Sequence, residues 1–137
     1  MSEQTNEQTV RDAYAAFTRG DVAAVLAQLT DDVEWEIPQI PNVPYTGLRR
    51  GKDAVEEFFR VLAQSEDVQA FEPYAYVSKN DMVIALGRYA ARVKSNGRTT
   101  EFDWVHVFRF RGDKVSGWRE YLDTLSLANV YRVPSTV

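Results

Sequence analysis

The chain has 137 residues, 45% of them hydrophobic and 26% charged, enough for one globular domain with a real core and unlike a disordered or fibrous chain. A formal net charge of −4 leaves no basic field to hold a polyanion, so no nucleic-acid partner is expected. The absence of cysteine excludes disulfides and thiolate catalysis. The polar opening MSEQTNEQTVRD, with no apolar run near the roughly 20 residues of a membrane span, makes a cytoplasmic protein without membrane contact the expectation.

Val10, Ala13, Tyr14 and Phe17 recur at helical spacing and predict a first helix, ending at Arg19-Gly20. Asp21 caps a second short helix carrying Val22, Val25, Leu26 and Leu29. Val33, Trp35 and Ile37 alternate with Glu34 and Glu36, which reads as a half-buried strand. The glutamates face outward, unless a bulge before Pro38 turns Glu36 inward. A loop with Pro38, Pro41, Pro44 and Gly47 follows. Gly51-Lys52-Asp53 then opens a third helix with Val55, Phe58, Phe59 and Leu62 on one face.

From there the chain reads as strands near 69–78, 82–94, 99–111 and 115–123, separated by Lys79-Asn80-Asp81, Ser95-Asn96-Gly97 and Gly112-Asp113. Short turns between consecutive strands make them antiparallel. The stretch after Leu125 is open between a short helix and a tail. The expected architecture is a single α+β domain over 1–137, with its core in about 5–125. Three helices from the N-terminal half pack on the concave face of a curved, cone-shaped antiparallel sheet and enclose an apolar pocket.

The last two strands carry the polar chemistry. Alternation puts Phe102, Trp104, His106, Phe108 and Phe110 on one face, and Ser116, Trp118, Glu120 and Leu122 on the matching face of the next strand. A three-residue loop, Gly112-Asp113-Lys114, sets His106 directly opposite Glu120, whereas a four-residue turn pairs His106 with Arg119. The bland readings are a satisfied core histidine and a structural ion pair. The functional reading is an acid/base pair, because a carboxylate on an aromatic face is costly unless it is paired or used. Tyr14, Phe17, Trp35, Phe58, Phe59, Tyr89, Trp104, Trp118 and Leu122 are the candidate substrate-binding residues. They serve equally as core, but as a group they favour a flat, small apolar molecule. One His and one Glu are too few for a metal site, and no cofactor-binding loop is present.

FTRGDVAAVLAQLTDDVEWEIP, GLRRGKDAVEEFFRVL and HVFRFRGDKVSGWREYLDT together resemble a SnoaL-like domain of the nuclear transport factor 2-like superfamily. That group includes polyketide cyclases, ketosteroid isomerases and limonene-epoxide hydrolases. The resemblance implies the α+β cone and a homodimer through the convex sheet face, with Val105, Val107, Arg119 and Tyr121 on it. It sets His106 where the isomerases carry a protonated Asp, but puts Ile37 at their general-base position and Tyr14 one place from their tyrosine. It sets Glu120 at the second Asp of the epoxide hydrolases, with Gly87 and Tyr89 where their Arg and first Asp belong and Arg88 or Arg92 as substitutes. Polyketide cyclases fit best, with His106 and Glu120 as the catalytic pair. The implied activity is acid/base chemistry on an apolar carbonyl-type substrate. The alternatives are a non-catalytic binding domain and an epoxide hydrolase or hydratase.

Overall fold

The computed structural model describes residues 2–133. The chain opens with α1 (Glu3–Thr18), whose N-terminus is capped by the Ser2 side chain. Gly20, at φ 77°, reverses the chain, and Asp21 then caps α2 (Val22–Leu26) through the Ala24 amide. The helix expected to reach Leu29 stops at Leu26. Leu29 instead begins β1 (Leu29–Ile37), because its backbone is taken up by a strand partner near Val115.

The loop after β1 folds back on itself, burying Ile40, Val43 and Tyr45, with the Thr46 hydroxyl bonded to the Ile40 amide and the Val43 carbonyl. A short β2 (Gly47–Arg50) then pairs antiparallel with β1. Its four residues carry too little alternation to announce a strand; the pairing is tertiary. α3 (Lys52–Ser65) follows, with Val55, Phe58, Phe59 and Leu62 buried. Four long strands complete the sheet: β3 (Glu66–Lys79), β4 (Met82–Val93), β5 (Thr99–Arg111) and β6 (Lys114–Leu122). The open segment after Leu125 is a helix, α4 (Thr124–Tyr131), capped by Asp123 and anchored by fully buried Leu127.

The six strands form one sheet in the order β2-β1-β6-β5-β4-β3. All pairings are antiparallel except β1 with β6, which is parallel. A parallel neighbour needs a long crossover, and here the intervening helices and strands supply it. This pairing sets Trp35 beside Trp118, and the two indoles stack with centroids 4.3 Å apart. The aromatic core lies between the sheet and α1–α3. On the other face, Val105, Val107 and Arg119 are half-buried and Tyr121 is exposed. Among the described residues no helix is long and apolar enough to cross a membrane.

Candidate functional site

Strand alternation builds the site. β5 turns Phe102, Trp104, His106 and Phe108 inward, and β6 turns Trp118, Glu120 and Leu122 toward the same interior. His106 lies directly across from Glu120, as the expected register required, although the turn differs. The hairpin closes tightly, with Arg111 opposite Lys114, and a bulge between the Phe110 and Arg109 pairs restores the offset. Ser116 is the extra residue. It leaves the aromatic face, where sequence alternation had put it, and its hydroxyl donates to the Arg109 carbonyl. Val115 takes the inward position.

Small residues on β4 make room for these rings. Ala85 sits opposite His106 and Gly87 opposite Trp104. A Cβ at Gly87 would fall inside the Trp104 indole, so glycine lets that ring lie flat against the strand. Trp104 in turn stacks on His106 at 3.9 Å and 14°, while Trp118 meets the imidazole edge-on at 4.7 Å.

Three polar groups line up at this place. The Tyr14 hydroxyl, from α1, is 2.7 Å from His106 Nδ1. His106 Nε2 is 3.4 Å from Glu120 Oε1, a long contact for a hydrogen bond. Burial holds the His106 pKa below its ordinary value near 6.5, against the opposing pull of Glu120. The imidazole is therefore neutral at pH 7 and carries one N–H. With a carboxylate at Glu120, both contacts are satisfied only if that proton is on Nε2 and the tyrosine O–H donates to Nδ1. Burial, with the charges of Tyr76 and Glu120, pushes the Tyr14 pKa well up and keeps it a donor. Among the described residues His106 is the only hydrogen-bonding or charged partner of the Glu120 carboxylate.

A second buried carboxylate has a different setting. Glu66, at the start of β3 and 2% exposed, accepts hydrogen bonds from the hydroxyls of Tyr45 at 2.6 Å, Tyr89 at 2.5 Å and Tyr131 at 2.6 Å. Burial is the main cause that raises the pKa of each of these phenols, with Glu66 adding to it. Sequence reading passed over Glu66 because it falls at the helix–strand junction and its partners are 21, 23 and 65 residues away.

An aromatic-walled cavity of about 80 Å³ lies beside Glu120; Tyr45 and Tyr89, which donate to Glu66, line it, and Glu66 itself does not. His106 and Glu120 line it, and so do all nine residues expected to contact substrate. Tyr14 and Phe17 come from α1, Phe58 and Phe59 from α3, and Trp35 from β1. Tyr89 comes from β4, Trp104 from β5, and Trp118 and Leu122 from β6. Tyr45, Phe71, Phe102 and Phe108 complete its aromatic wall, Ala13, Val25, Ile37 and Leu62 also line it, and none of these was an expected substrate contact. Phe102 and Phe108 were already legible as members of the inward face of β5; Tyr45 and Phe71 lie in segments whose facing the pattern does not fix. The indole N–H groups of Trp35 and Trp104 are buried and have no acceptor among the described residues. No arginine lines the cavity among the described residues. Arg88 pairs with Glu72 and Glu101, and Arg92 with Asp67. The arginine-centred hydrolase arrangement is therefore not assembled.

The molecule is an α+β cone around an aromatic cavity, with His106 and Glu120 supplied by its last two strands. Residues 10–118 match the SnoaL-like domain family, and the chain belongs to that family. An NTF2-like protein from Burkholderia xenovorans LB400 is 36% identical, with 96% of this chain and 99% of that chain covered at a TM-score of 0.87. An NTF2-like protein from Burkholderia thailandensis E264 is 30% identical, with 97% and 100% covered at 0.85. TerC, co-crystallised with polyporic acid, shares the fold at 22% identity, with 93% and 98% covered at 0.83.

Proposed function

We propose that the pocket takes a flat, apolar carbonyl compound and that Glu120 moves a proton on it. The observation that carries this reading is the buried line Tyr14–His106–Glu120, which ends in a carboxylate facing an aromatic cavity with one long contact as its only partner. A carboxylate so placed is costly in the empty fold, and it is free to accept a proton from a bound carbon acid. His106 orients it through Nε2–H, and Tyr14 fixes the imidazole. The indole N–H groups of Trp35 and Trp104, buried without an acceptor among the described residues, are candidate donors to the oxygen of a carbonyl, whose negative charge grows as the neighbouring carbon loses its proton. The co-crystal of TerC with polyporic acid is a precedent within this fold for a small molecule in such a protein.

The test uses 2-tetralone, a flat ketone with exchangeable protons next to its carbonyl, followed by NMR in deuterated buffer. The wild-type protein accelerates exchange over buffer, and Glu120→Gln removes about 10²–10⁴-fold of that acceleration with the fold retained. Equal rates for the two proteins would remove Glu120 from the chemistry. Saturable binding with exchange at the buffer rate would favour the reading as a non-catalytic binding domain.

A further inference from the structure

The cavity has two polar ends, and the proposed chemistry uses one. Tyr45 and Tyr89 line the cavity wall, and both hydroxyls are spent donating to Glu66. Each phenol oxygen keeps a lone pair and has no proton left to give. The Glu66 carboxylate has about four acceptor sites, three of them filled by Tyr45, Tyr89 and Tyr131. This end of the pocket accepts hydrogen bonds and offers none from these groups. The high phenol pKa values keep it so across ordinary pH. Tyr89 also feels the charge of Glu120, which puts the two ends within electrostatic reach of each other.

The register separates the two ends along the backbone of β4. Ala85 is the β4 residue opposite His106. Tyr89 lies four residues further along β4, about 13 Å at the rise of a strand. Trp104, Phe71 and Phe102, all aromatic, also line the cavity.

We propose that Glu66, Tyr45 and Tyr89 form a second binding pole that selects a ligand with a hydrogen-bond donor, a hydroxyl group, at the end remote from Glu120. The inference rests on the reading of the cavity as a ligand pocket and narrows its substrate class. The ligand is a flat ring compound with its carbonyl at the Glu120 end and a hydroxyl at the other. Glu66 acts here as a positioning residue for the two phenols.

Three fluorescent probes separate the possibilities: 2-naphthol, 2,6-dihydroxynaphthalene and 6-methoxy-2-naphthol. The last has the size of the diol but only an acceptor at its second end. The wild-type protein should bind the diol about five- to tenfold more tightly than 2-naphthol, the gain of one buried hydrogen bond, and the methoxy compound no more tightly than 2-naphthol. Tyr89→Phe keeps the ring and should lower the diol's advantage over 2-naphthol to about threefold or less. Tyr45→Phe serves as a second variant, and the wild-type comparison needs neither. A diol that binds no better than 2-naphthol, a methoxy compound as tight as the diol, or a Tyr89→Phe protein with full discrimination would each overturn the second pole. If none of the three probes binds, the ligand-pocket reading itself fails and the inference falls with it.

Discussion

Two glutamates are buried in this fold, Glu120 in the cavity wall and Glu66 behind Tyr45 and Tyr89, and their partners differ. Glu66 is held by three hydroxyl donors at 2.5–2.6 Å; Glu120 has one imidazole at 3.4 Å. A buried charge is tolerable when its lone pairs are filled. Glu66 meets that condition within the fold, and Glu120 does not. The comparison teaches where to look for reactivity. The carboxylate with three donors holds elements in place, joining the proline loop, β4 and α4 through their tyrosines, while the under-partnered one faces the cavity itself.

The sharpest way to break this comparison is to exchange the roles. Glu66→Ala leaves three hydroxyls without an acceptor, each costing about 1–3 kcal/mol where buried, so roughly 3–5 kcal/mol in all should be lost in urea unfolding, since such terms add poorly. A loss below about 1 kcal/mol would mean that Glu66 is no anchor. Gly87→Ala forces Trp104 off β4 and should cost about 1–3 kcal/mol. It should also disturb the His106 stack and lower the exchange rate of 2-tetralone, although it touches no acid or base. An unchanged rate would separate Trp104 from the site.

The pH dependence of stability probes the Glu120 end. Because the folded pKa of His106 is depressed, the unfolded chain binds a proton near pH 6.5 that the native protein refuses. Stability is therefore intact above that pH and falls as pH drops below it, by at most about 1.4 kcal/mol per pH unit from this group, until the folded pKa is reached. His106→Gln should flatten that slope below about pH 6.5, and a slope unchanged in this variant would contradict a buried neutral imidazole. The smallest effect is expected at Tyr131→Phe, which removes one of three donors to Glu66 from a half-buried ring and should cost about 1 kcal/mol. Because α4 carries Tyr131, faster amide exchange confined to α4 would show which element that bond secures.

How far the sequence reaches differs between the two ends in the same way. The Glu120 end was legible because period-two alternation needs only neighbouring residues, and Trp104, His106, Trp118 and Glu120 follow it. Even there, the pairing emerged from a tight hairpin and a bulge at Ser116 rather than from a longer loop. The Tyr14 bond to His106 spans 92 residues and has no local signature; helical spacing could place Tyr14 on the buried face of α1 but not opposite the imidazole. The Glu66 end was illegible for that reason throughout. Its partners come from an irregular loop, a strand and a C-terminal segment that the pattern left undecided, and only the parallel β1–β6 pairing and the docking of α4 bring the walls together. β2 and the early start of β1 likewise exist through pairing and not through propensity.

The account of the pocket turns on the protonation of one ring, and His106 is the only histidine in the chain. Its imidazole is therefore observable without assignment ambiguity in a long-range nitrogen–proton NMR correlation of uniformly labelled protein. The account predicts a neutral ring at pH 7 with the proton on Nε2, a titration midpoint below about 6.5, and a changed pattern in both Tyr14→Phe and Glu120→Gln. A doubly protonated ring at pH 7, or a proton resident on Nδ1, would contradict the line from Tyr14 through His106 to Glu120 on which the proposed chemistry rests.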